Sequence, residues 1–166
     1  KGMLRLWCFD IGSVSFLGTG LLGMVLGCIT ALQGKSGSAE LWFSIGIVSS
    51  SAAVAWQLIR LMASECAQLI PHYRRHIYIQ SAVVLTSIFG ISVLFCLALG
   101  STSSLYTLVL ALVMSFAFIC LCLLSTQWFY ASFLLFVLVP FISLITGYVP
   151  LWLSAISLVV LGAFII

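Results

Sequence analysis

Apolar runs of about twenty residues, separated by short polar breaks, repeat along this chain from residue 11 onward. They cover 11–32, 41–59, 79–100, 105–124, 128–146 and 151–166. At 1.5 Å of rise per residue, about 20 helical residues cross the roughly 30 Å hydrocarbon core of a bilayer. Lipid offers backbone groups no hydrogen bonds, so runs of this length span as helices. The pattern predicts an all-α polytopic membrane protein, a single domain over 1–166 with six transmembrane helices. Pro140 lies about two-thirds along the fifth run, where its missing N–H predicts a kink. Gly147, Tyr148, Val149 and Pro150 turn the chain into the sixth.

Two runs carry finer patterns. In the first, Gly20, Gly23, Gly27, Ala31 and Gly34 recur at i, i+3, i+4 spacing, a face on which another helix can approach closely. Packing inside the bundle is expected there, with Gly20, Gly23 and Gly27 as contacts. In the second, Ser49, Ser50 and Ser51 can bond backbone carbonyls or a neighbouring helix, or can line a polar path. Trp42 and Trp56 fall near opposite ends of that run as interfacial anchors. Residues 1–10 alternate charge with bulk, which suits either a short interfacial helix or a frayed lead-in.

The densest polar stretch is 60–78, RLMASECAQLIPHYRRHIY, with three of the six basic residues, both histidines and one of three acids. With the N-terminus inside, Lys1, Arg5, Arg60, Arg74 and Arg75 are cytoplasmic and only Lys35 is outside, a positive-inside bias. The helix of the second run can continue beyond the membrane to Ile70, with Met62, Cys66, Leu69 and Ile70 on one face, until Pro71 stops it. The resulting cytoplasmic elbow can dock in a groove of a soluble partner. Equally, its arginines can bind lipid phosphates as in any positive-inside loop.

Composition removes other classes. At 64% hydrophobic and 5% charged residues, there is too little polar surface for a soluble domain. The net charge of +3 is divided among ends and loops and makes no nucleic-acid footprint. Six scattered cysteines form no C-x-x-C pair, and His72 and His76 have no third ligand nearby, so no metal or cofactor is expected. The chain has no G-x-x-x-x-G-K loop, no G-x-S-x-G elbow and no H-E-x-x-H helix, and an enzyme is not expected. No run contains an ionisable residue at mid-depth, which argues against a self-contained ion-driven carrier.

The segment Gln68-Leu69-Ile70-Pro71-His72-Tyr73-Arg74-Arg75-His76-Ile77-Tyr78-Ile79-Gln80 resembles the loop after the second span of ABC-2-type exporter permeases. The resemblance implies six spans with cytoplasmic termini, an interfacial helix before the first, and a home in the bacterial plasma membrane. It also implies that Leu69, Ile70, Pro71, His72, Tyr73, Arg74, Arg75 and His76 contact a separate P-loop ATPase that supplies the energy. Such permeases work as dimers or fused pairs. Ile166 ends an apolar run with no anchor behind it, as a piece of a longer chain would. Two other readings stay open. One is a substrate-binding membrane subunit of an uptake system, hinted at by Gln57, Gln80 and Tyr106. The other is a scaffold that assembles with membrane proteins through its glycine face.

Overall fold

The computed structural model describes residues 10–63, 73–98, 102–146 and 148–165, and all regular structure among them is helical. Four long helices come first: α1 (Ile11–Leu32), α2 (Ser36–Ala63), α3 (Tyr73–Ala98) and α4 (Thr102–Leu124). A broken passage follows, made of a 3₁₀ turn (Thr126–Ala131), α5 (Ser132–Leu138), a second 3₁₀ turn (Val139–Phe141) and α6 (Ile142–Ile145). Last comes α7 (Leu151–Ile165). Five passages are long and apolar enough to cross a membrane, the broken one included. The chain is thus built as a membrane-embedded helical bundle. Over the described residues α7 covers the last run with 15 residues, about 22 Å of helix, and stands outside those five.

Hydropathy marks where lipid begins, and the helices do not stop there. α2 takes in Ser36–Glu40, most of the polar break between the first two apolar runs. The Ala39 amide donates to the Lys35 carbonyl at 3.0 Å, and Ala39 is buried, so packing overrides the weak helix preference of serine and glycine. The real turn is short. Gly34 adopts φ +74, and the Gly34 and Lys35 amides return to the Ala31 and Thr30 carbonyls, closing α1 in the left-handed way that glycine permits. α3 likewise begins at Tyr73, six residues before the apolar run. At Pro140 the α-helix gives way to the 3₁₀ turn, in keeping with the lost N–H.

α2 is the axis of the bundle. Of its apolar window 78% is buried, against 28% for α1 and 22% for α3. α1 lies along it through the glycine face: a Cβ on Gly20 would sit 2.6 Å from Ser50 Oγ, and one on Gly23 3.0 Å from the Trp42 carbonyl. One on Gly27 would enter the Phe43 ring at 2.7 Å. Ser49, Ser50 and Ser51 of α2 are buried and bonded: Ser49 Oγ donates to the Phe16 carbonyl of α1, Ser50 to Gly46 and Ser51 to Val48, each at 2.7 Å. They serve packing, with no polar path between them. α4 packs on the other side of α2 and carries both α3 and α7.

Candidate functional site

At the end of the bundle where α1 begins and α2 runs toward its finish, five polar side chains converge. Asp10 precedes an apolar run and caps α1: its backbone is extended, and Oδ2 accepts from the Ser13 amide at 3.3 Å and the Ser13 hydroxyl at 2.8 Å. A carboxylate suits a helix N-terminus, whose first amides lack intrahelical partners. The same oxygen accepts from Trp56 Nε1 at 2.6 Å, and Oδ1 meets Arg60 Nη1 at 2.6 Å. Gln57 Nε2 donates to the Ser13 hydroxyl. Trp56 and Arg60 are four apart on α2, so one helix face presents both donors to a single carboxylate.

Local sequence makes the room. A Cβ on Gly12 would lie 2.8 Å from Trp56 Nε1, so the indole settles over a bare backbone. Phe129 of the first 3₁₀ turn closes the other side, its ring centroid 5.0 Å from that of Trp56 and 5.8 Å from that of Phe16. Trp56 was expected as a lipid-facing anchor. It is half-buried and bonded within the bundle, because Asp10 offers its N–H a better acceptor than the interface does. Burial is the largest influence on the Asp10 carboxyl and pushes its pKa up. The bonds from Ser13 and Trp56 and the Arg60 charge outweigh it, holding the group below its ordinary 3.8. The cluster is a clamp between α1 and α2.

Of the residues expected to meet a partner, Leu69, Ile70, Pro71 and His72 lie outside the described residues, as do 1–9 with the expected interfacial helix. Tyr73 and Arg74 open α3, and Arg75 and His76 are exposed in its first turn. The described part of the polar stretch therefore shares one end of the bundle with the clamp. Gln57 and Tyr106 do not converge on a pocket. Tyr106 lies beside Thr107, whose hydroxyl is 3.4 Å from Glu40, and Glu40 is about 25 Å along α2 from Gln57. Among the described residues no three His, Cys, Asp or Glu are grouped to hold a metal. Cys96, Cys120 and Cys122 are buried as free thiols and Cys28 is half-buried.

Beside the clamp, α2, α3, α4 and α7 border a cleft of about 530 Å³. Val54, Leu58, Ile79, Leu85, Phe116 and Ile119 give it an apolar wall, and Arg75, Tyr78, Ser81 and Thr86 its polar points. Comparison with protein-family models, curated proteins and solved structures finds no match to this chain.

Proposed function

We propose that the chain is the transmembrane permease module of an ATP-driven, ABC-2-like transporter, with a separate P-loop ATPase docking on 60–78. In this reading α7 completes a sixth span, both termini and the clamp face the cytoplasm of a bacterial cell, and two such units pair. The observation that carries it is the union of the most buried helix with a fixed end: α2 leads directly into the docking segment, and Asp10 ties it to α1. Coupling needs a rigid element joining the partner's surface to the core of the bundle. A helix loosely attached to its neighbours would absorb the displacement.

The test is a mild-detergent pull-down of the protein from its native membrane, with mass spectrometry of what accompanies it. A P-loop ATPase whose recovery depends on Leu69 to His76 supports the reading. If no ATPase comes down, the permease reading fails and the scaffold reading takes its place. Separation of Gln57 from Tyr106 leaves the substrate-binding subunit with less support than either.

A further inference from the structure

α3 and α7 both pack on α4 but hardly on each other, and the cleft of about 530 Å³ is the gap between them. That volume falls within the roughly 300–1,000 Å³ typical of ligand sites. Arg75 stands exposed at one end, in the first turn of α3, with Tyr78 half-buried one turn on. Ser81 follows, buried at 5% exposure, its hydroxyl without a hydrogen-bond partner among the described residues. Beyond Ser81 the wall is mainly apolar, with Leu85 and Phe116, and Thr86 is its last polar point. Gly162 of α7 faces the gap, and nothing lies within 4 Å of where its Cβ would be. The sequence of points from one end to the other is cation, aromatic hydroxyl, buried hydroxyl, hydrocarbon.

We propose that this cleft holds an anionic phospholipid, with one acyl chain between α3 and α7 and the phosphate on Arg75. Charge complementarity selects the occupant. Among the described residues there are two acids, and neither faces Arg75: Asp10 is taken by Arg60, and Glu40 sits at the opposite end of α2. Arg75 is thus a cation at headgroup depth beside an apolar slot, and phosphate is the anion that a membrane supplies there. The Ser81 hydroxyl supplies a donor at the depth of the glycerol esters, where an unpaired buried hydroxyl is otherwise costly.

The experiment is native mass spectrometry of the purified full chain, exchanged into mixed micelles of phosphatidylglycerol and phosphatidylcholine. The wild type retains one phosphatidylglycerol per chain in preference to phosphatidylcholine. Arg75→Gln lowers that preference about fivefold, the size expected of one basic residue at an anionic surface, and Arg75→Lys largely keeps it. Gly162→Leu fills the slot and lowers retention of both lipids, and its side chain enters open space, so the thermal midpoint stays near wild type. Equal retention of the two lipids by the wild type overturns the proposal. So does undiminished phosphatidylglycerol binding by Arg75→Gln or Gly162→Leu.

Discussion

The Asp10 carboxylate and the Arg60 guanidinium meet at 2.6 Å, joining the first residue before α1 to a point one turn before the end of α2. The pair is unequal: the Asp10 side chain is 14% exposed, whereas that of Arg60 is 53% exposed. An ion pair half open to water contributes little by itself. The same carboxylate also caps α1 and accepts from Trp56, and those bonds are better sheltered. Asp10→Ala should therefore cost about 2–3 kcal/mol, most of it from the cap and the indole bond. Arg60→Ala should cost about 1 kcal/mol or less. Unfolding of the two variants in SDS titrations checks the order, and equal losses would mean that the ion pair dominates.

The same site sets a pH dependence. A carboxyl held below its ordinary 3.8 in the folded state contributes stability at pH values above 3.8, and that contribution disappears as pH falls through the lower folded value. From pH 7 down to about 5 the contribution should stay constant. Below about pH 4 the wild type should lose its advantage over Asp10→Asn, and the two thermal midpoints should converge. Parallel curves down to pH 3 would mean that burial, which raises the pKa, cancels the four hydrogen-bonding and charge contributions, and a wild type that gains on Asp10→Asn in acid would mean that burial outweighs them.

What the sequence made legible was whatever repeats along one helix. The long apolar runs gave the helices, the i, i+3, i+4 glycines gave the close-packed face of α1 though not its partner, and Pro140 gave the break. The clamp escaped because each member has a sufficient local role: Asp10 as a loop residue, Trp56 as an interfacial anchor, Arg60 as a positive-inside charge. Their meeting joins positions 46 and 50 residues apart, and no local period encodes that. One signal was present: an aspartate just before an apolar run reads as a helix N-cap. Helix ends were misplaced where polar residues continue a helix beyond the lipid, at Ser36–Glu40 and Tyr73–Tyr78.

The glycine contact gives a prediction with its own control. Gly23 and Gly18 are both on α1. A Cβ at Gly23 would be 3.0 Å from the Trp42 carbonyl and 3.1 Å from the Gly46 amide nitrogen, and neither backbone atom can rotate away. Around a Cβ at Gly18 there is nothing within 4 Å. Gly23→Leu must push α1 off α2, at a cost of about 3 kcal/mol or more, while Gly18→Leu should leave stability within about 0.5 kcal/mol. Thermal unfolding in detergent separates them. Matching midpoints would show that α1 is held to α2 elsewhere.

Charge reversal at the start of α3 tests the docking reading against simple damage to the bundle. Arg75 is exposed, and the first residue of α3 described as buried is Ile77, at 4% exposure. Arg74→Glu with Arg75→Glu should leave helicity and the thermal midpoint near wild type, since Arg75 is exposed and negative charge is favourable in the first turn of a helix. A partner that approaches through complementary charge would instead meet two like charges, and recovery of a P-loop ATPase should fall more than about tenfold. High salt should weaken the wild-type complex in the same direction, because exposed charges are screened. Arg74→Gln with Arg75→Gln should fall between the two, having lost attraction without gaining repulsion. Undiminished ATPase recovery by the double glutamate variant, at an unchanged midpoint, would remove these arginines from the docking surface.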